Sequence, residues 1–404
     1  MHAPAAWIER HERLLLRCLG AAVFVSLVFF LFAGPIAGVG DPHYLWLADA
    51  FLHGRADLPA GFVAAVGRMD TVLVGGRYYW PLGPLPAVLF APAVAAVGPD
   101  MMIESYAHAL LALAAFACAY ALARRKGFAA TDAAWLSAAF GLGSVLVGVV
   151  FMNGPWYFES LLSCVLLAAA LVEREGKDRP AIVGGLVGLA AATRLPSLLA
   201  GGFFFLRELG AARPRREKAL RLAVMAAPVL LVLIGLGAYD AARFGDPFRT
   251  GQRDHYLLPP AAAVRDAGVF AAANVPRNFF TYFLRLPAVE GGLPVADPTG
   301  MSAILLSPVF LWLAAARRKD GDVRAAACCA LLLLALLLSY FTDGSRQFGA
   351  RYLADALPLA YLVLLGVFRE RGLGASAKTV IAASAAANLA MFWLFALRHV
   401  YAPG

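Results

Sequence analysis

The stretch GDPHYLWLADAFLHGRADLP, residues 40–59, follows a long apolar run and opens on an acid, Asp41, set against a proline. Asp is a favoured N-cap and Pro42 suits a first helical position, so Asp41 reads as the start of a helix over 43–53. The competing reading is a catalytic base, held where the chain has just left a membrane. The helix is amphipathic, with Tyr44, Leu45, Leu47, Ala48, Phe51 and Leu52 on one side. That pattern predicts a helix lying in the interface plane, with Tyr44 and Trp46 at headgroup level and Asp49 solvated.

The remainder of the chain makes a membrane the natural setting. Its 404 residues are 61% hydrophobic and 15% charged, with a mean hydropathy of +0.71. A chain of this composition is a polytopic membrane protein. About eleven spans are expected, at roughly 16–39, 101–123, 131–152, 156–172, 180–194, 195–207, 219–241, 300–316, 323–341, 352–368 and 376–397, several of them shorter than the usual ~20 residues. The first exceeds a signal-peptide core and lacks a clear small-x-small cleavage site. With the N-terminus inside, 22 of the 35 Lys and Arg residues fall on the inner segments, 12 on the outer ones, and Arg194 within a span. The excess of nine positive charges is therefore topological, because short cytoplasmic loops collect Lys and Arg, and nucleic acid is excluded as a partner. Counting the proline-rich segment 81–98 as a span would reverse everything downstream, so it is read as re-entrant or surface-lying. The five cysteines lie in or beside apolar runs and are read as small core residues.

The chain is expected to form one domain, 1–404, with two long outer loops at 40–100 and 242–299. In the first, TVLVGGRYYW (71–80) has the alternation and Gly-Gly turn of a β-hairpin. The second, rich in charge and aromatics, includes NVPRNFFTYFLRLP (274–287), read as another surface helix. Connections this long are usually functional. Further polar residues cluster at the same level. NGPWYFES puts Glu159 at the outer end of the fourth span, AATRLP puts Arg194 at the end of the fifth, and TDGSRQFGARYLADALP puts Arg346, Arg351 and Tyr352 at the mouth of the tenth. Each has a bland alternative, since Glu159 can cap a helix and arginines can snorkel to headgroups. Cations and carboxylates at one depth nonetheless look like a phosphate site beside a base.

The order of parts resembles the GT-C superfamily of integral-membrane glycosyltransferases, above all protein O-mannosyltransferases and bacterial aminoarabinose lipid A transferases. The motifs that carry it are GDPHYLWLADAFLHGRADLP, GGRYYWPLGPLPAVLF and RQFGARYLADALP. The resemblance implies an all-α polytopic bundle with surface-lying helices, in the inner or plasma membrane of a bacterium. It further implies a polyprenyl-phosphate sugar as donor, a lipid, glycan or protein hydroxyl as acceptor, and an active site facing the extracytoplasmic side. Asp41 matches the position of the family's acidic catalytic residue, although the mannosyltransferases pair two adjacent acids there and this chain has Pro42.

That chemistry suits the residues. A phosphate leaves without needing a proton, so one general base is sufficient, whereas a glycosidase needs two carboxylates. Asp41 is the expected base, and Arg194, Arg346 and Arg351 the expected phosphate clamp. His43, Tyr44, Glu159 and Tyr352 are expected to orient sugar or acceptor. Attack opposite the phosphate would invert the anomeric carbon. No Walker or dinucleotide fingerprint is present, which argues against a nucleotide sugar. No cofactor is expected; a divalent metal on Asp41, His43, Asp254 or His255 is the alternative, but their spacing defines no site. A transporter or flippase for lipid-linked sugars is the competing function.

Overall fold

The computed structural model describes residues 3–36, 40–317 and 319–401; the end of the first expected span, 37–39, lies outside these. Helices α1 (Ala3–Ile36), α2 (His43–Leu52) and α3 (Ala60–Val66) are followed by a hairpin, β1 (Val72–Val74) and β2 (Arg77–Tyr79). Next come α4 (Leu85–Val97), α5 (Met101–Arg125), α6 (Ala130–Gly141), α7 (Val147–Val150), α8 (Pro155–Arg174), α9 (Pro180–Thr193), α10 (Ser197–Leu209) and α11 (Arg215–Phe244). The second long connection holds α12 (Pro259–Asp266), α13 (Val275–Phe279) and a hairpin of β3 (Ala288–Glu290) and β4 (Leu293–Val295). The chain closes with α14 (Ala303–Leu306), α15 (Gly321–Ser339), α16 (Leu357–Arg371) and α17 (Ala375–Ala396).

Six helices, α1, α5, α8, α11, α15 and α17, are long and apolar enough to cross a membrane alone. The other five expected spans are shorter or broken. Span 131–152 divides into α6 and α7, and 300–316 into α14 and a 3-10 helix, Pro308–Ala315. Span 352–368 begins as a 3-10 turn, Arg351–Asp355, before α16. Freed backbone groups in a bilayer must find partners within the protein, and here two breaks serve each other. The Val145 amide donates to Ser307 Oγ at 3.1 Å. Asn388, on α17, donates to the carbonyls of Leu142 and Leu306, both at 2.8 Å. Close packing fixes the neighbours of these elements too: a Cβ on Gly184 of α9 would stand 1.9 Å from the Met225 carbonyl oxygen of α11, so only glycine lets those two helices touch.

The first long loop folds as its sequence suggests. β1 and β2 pair antiparallel, Val72 opposite Tyr79 and Val74 opposite Arg77. Gly75 and Gly76 both take positive φ (56° and 76°), as a two-residue primed turn requires. A second hairpin with the same Gly-Gly signal, at Gly291 and Gly292, is an addition to the expected one. Helix α4 has 13 residues, about 20 Å of rise, well short of a hydrocarbon core of ~30 Å. It lies against α2.

The apolar face of α2 packs on protein: Tyr44, Leu45, Leu47 and Ala48 are fully buried, and Trp46 stacks on Phe62 of α3 with centroids 5.5 Å apart. Helices α3 and α4 of the same loop, with Phe158 and Leu162 of α8, cover that face. One expectation for α2 needs correction: Asp41 does not cap it. Pro42 is the N-cap residue, and no side chain makes a cap hydrogen bond. Of the cysteines, Cys164 and Cys329 are buried, whereas Cys18 and Cys328 are exposed on the bundle's outer surface.

Candidate active site

One end of the bundle gathers the residues around Asp41, Asn153, Thr193, Arg243, Tyr340 and Arg351 about a cavity of 2230 Å³, well above the ~300–1,000 Å³ of ordinary ligand pockets. One wall is polar; another is apolar, built by Leu230, Leu233 and Ile234 of α11 with Leu198 and Leu199 of α10.

Asp41 gives the first turn of α2 only its carbonyl, which accepts from the His43 amide at 2.9 Å. Freed from capping, its half-buried carboxylate lines the cavity and has no hydrogen bond or ion pair among the described residues. Burial raises its pKa above the ordinary value, and the Arg346 charge opposes that shift. Arg346 itself is exposed on the cavity wall and has positive φ, 46°. Its carbonyl is held by the Tyr157 hydroxyl.

Arg351 is 6% exposed. It donates from Nη1 to the Ser345 carbonyl at 2.8 Å and from Nη2 to the Tyr352 hydroxyl at 3.4 Å, while buried Nε has no partner. No carboxylate comes within ion-pair distance of either Arg346 or Arg351 among the described residues. A guanidinium buried without a carboxylate is costly, and an arriving anion would remove that cost.

Arg194 is different. The extended backbone between α9 and α10 turns it inward, where Nη1 meets Glu159 at 2.5 Å and Nε meets Asp355 at 2.9 Å. Two carboxylates therefore already engage Nε and Nη1 of the guanidinium expected to hold phosphate, which itself lines the cavity. Glu159 lines the cavity but is committed to this pair. Tyr44 does not line it; its hydroxyl sits 3.4 Å from Glu159 Oε2. Tyr352 lines the cavity, with the guanidinium carbons of Arg194 and Arg351 over its ring at 5.2 and 4.9 Å.

His43 lies on the wall, stacked on Trp80 with centroids 4.2 Å apart. Both ring nitrogens are buried and unpartnered, and burial lowers its pKa to about 4, so it faces the cavity as neutral imidazole. The candidate metal ligands do not converge: Asp254 pairs with Arg249 at 2.9 Å, and among the described residues no three His, Cys, Asp or Glu side chains are placed to hold an ion.

Three carboxylates escaped the sequence reading, one of them Asp240, which lines the cavity paired with Arg243. Asp355, fully buried, completes the Arg194 pair and accepts from Ser163 at 2.7 Å. Asp70 lines the cavity directly before the hairpin; burial raises its pKa to about 6, opposed by Arg351 and assisted by the Asp41 charge. Its one sequence signal was an acid in the same loop as Asp41.

No protein-family model matches the sequence, and no curated protein sequence does. Solved structures do. ArnT from Cupriavidus metallidurans in the apo state superposes with a TM-score of 0.55 at 13% identity, covering 98% of this chain and 77% of that one. The Archaeoglobus fulgidus oligosaccharyltransferase in the apo form gives 0.50 at 15% identity, covering 98% and 55%. The same enzyme in complex with Zn and sulfate gives 0.50 at 15%, covering 94% and 52%. This chain thus spans about half the length of the oligosaccharyltransferase. The likeness shows the fold: this chain shares the helical membrane-protein fold of ArnT and the oligosaccharyltransferase.

Proposed function

We propose that the chain is a membrane glycosyltransferase that moves a sugar from a polyprenyl-phosphate donor to a hydroxyl of a lipid, glycan or protein, on the extracytoplasmic face of a bacterial inner or plasma membrane. The observation that carries this is Arg351, buried without a carboxylate partner, beside exposed Arg346 and in one cavity with the Asp41 carboxylate. Bidentate guanidinium groups suit a phosphate, and the apolar wall of the cavity suits the chain attached to it. The fold it shares with an oligosaccharyltransferase and ArnT supports glycosyl transfer over other membrane chemistry.

In the proposed reaction, Asp41 accepts the proton of the acceptor hydroxyl as its oxygen attacks the anomeric carbon. The bond from that carbon to the phosphate oxygen breaks on the opposite face, so the anomeric centre inverts. Polyprenyl phosphate leaves with the electron pair, and Arg346 and Arg351 stabilise its growing charge. Neutral His43 and Tyr352 orient the sugar or acceptor. The oligosaccharyltransferase was solved in complex with Zn and sulfate; among the described residues of this chain, no three His, Cys, Asp or Glu side chains are placed to hold a metal ion.

The test incubates purified protein with radiolabelled polyprenyl-phosphate sugars and a panel of lipid and glycan acceptors, with and without a chelator. Transfer from at least one donor, inverted at the anomeric carbon and kept in the chelator, is expected. Donor crossing a vesicle bilayer without any transfer would instead establish a transporter. Labelling of Asp57→Cys and Arg216→Cys from opposite faces checks the orientation.

A further inference from the structure

Three charges lie together at the cavity, Glu159 and Arg194 lining it and Asp355 behind them, on three elements distant in sequence. Glu159 comes from α8, Arg194 from the α9–α10 junction and Asp355 from the turn before α16, with Tyr44 of α2 against Glu159. The side chains of Glu159, Arg194 and Asp355 are 4%, 8% and 0% exposed. Such clusters often contribute less stability than apolar residues of the same volume would. Their better-attested value is in fixing one conformation, so the question is which one is fixed here.

The answer lies in the turn that Asp355 closes. Residues Arg351–Asp355 form a 3-10 helix, in which positions three apart share a face. Tyr352 and Asp355 are so related, and both meet Arg194: Asp355 by the 2.9 Å ion pair, Tyr352 through its ring at 5.2 Å. The other neighbour of that ring is the Arg351 guanidinium, at 4.9 Å. A continuous contact therefore runs Glu159–Arg194–Tyr352–Arg351, and Asp355 anchors the turn to it. Ser163 fixes the second carboxylate oxygen of Asp355 at 2.7 Å.

We propose that the Glu159–Arg194–Asp355 triad is a positioning device: it holds the 351–355 turn so that Arg351 faces the cavity ready for the donor phosphate, and Arg194 does not bind that phosphate itself. This rests on the donor class proposed above. Misplacing a binding group by about 1 Å costs on the order of 10²-fold in the reaction it serves, so loosening the turn acts on the donor without touching Asp41.

The experiment combines Asp355→Asn, Arg351→Ala and the double variant. Asp355→Asn is expected to raise the donor KM about tenfold or more, with the acceptor KM unchanged. In the Arg351→Ala background the same change is expected to add nothing, because its effect passes through Arg351. Additive losses in the double variant would overturn the proposal. Because removing one partner of a buried pair can unfold a protein, a neutral triple variant, Glu159→Gln, Arg194→Met and Asp355→Asn, serves as the folded control. A folded triple variant with the wild-type donor KM would reduce the triad to packing. A ligand-free arm separates this from the donor class: phenylglyoxal modification of Arg351, followed by mass spectrometry, is expected to change rate at least severalfold in Asp355→Asn. An unchanged rate overturns the positioning role even if no polyprenyl-phosphate donor is ever used; a changed rate with no donor transfer upholds it and refutes only the donor class.

Discussion

At the end of the bundle that holds Lys126, five cations drawn into the protein meet carboxylates. Lys126 reaches Glu175 at 2.6 Å; Arg174 and Arg207 share Asp322 at 3.2 and 2.5 Å; Arg221 meets Asp178 at 2.5 Å; Lys378 lies between Asp132 and Glu12 at 2.8 and 2.9 Å. At the Asp41 end, Arg346 and Arg351 have none among the described residues, and Asp41 is likewise free. Paired charge ties helix ends together and asks for nothing more. Unpaired charge of both signs around one cavity is a cost to the folded protein, and a ligand that supplies the missing partner is the physical reason to keep it.

The contrast breaks most readily at Asp41. Since no side chain caps α2 and the unpaired charge is a cost to the fold, Asp41→Asn should keep or raise thermal stability while turnover falls by about 10²–10⁴-fold, the usual worth of a positioned base. Near wild-type turnover in the Asn variant would remove the base from the mechanism.

Next in size are the arginines. Arg351→Ala and Arg346→Ala should each raise the donor KM by about 10–100-fold, the range for a lost hydrogen bond to a charged group at about 1.5–3 kcal/mol. Lys should rescue only in part, because an ammonium lacks the planar fork. Donor titrations of the four variants measure this. At the opposite end, Asp322→Asn removes the shared partner of Arg174 and Arg207. There, thermal unfolding should show a loss of about 1 kcal/mol, since those side chains are partly solvated, with an unchanged donor KM.

The smallest effect sharpens the picture of Asp41. Its carboxyl is raised by burial and lowered by Arg346. Removing that charge, as in Arg346→Gln, should raise the pKa further, so a base that works deprotonated needs a higher pH. The acid limb of the pH–rate profile should move upward by less than about one unit; a downward move would place the arginine elsewhere.

What could be read from the chain alone was whatever local chemistry marks. Gly75-Gly76 marked the hairpin, the proline-rich segment marked a piece too short to span, and Asp41 was marked by its place after an apolar run. The cap reading failed because Pro42 took the N-cap position itself. Spans 131–152 and 300–316 looked continuous because hydropathy does not register a break whose carbonyls are satisfied by Asn388, far along the chain. Arg194 was expected at a phosphate, and the two carboxylates it meets were not foreseen as its partners. Its carboxylate, Asp355, is 161 residues away, and nothing in LADALP distinguishes that acid from a solvated one. Long-range pairing of this kind appears only when the helices are packed.

Binding of polyprenyl phosphate, compared with the polyprenol that lacks only the phosphate, bears most directly on the unpaired arginines. Trp156 lines the cavity, so its fluorescence in detergent reports occupancy. Wild-type protein should bind the phosphate saturably and at least tenfold more tightly than the alcohol, and the Arg346→Gln/Arg351→Gln double variant should lose that preference. Equal affinity for phosphate and alcohol, or a preference that survives in the double variant, would contradict the assignment of these arginines to a lipid phosphate.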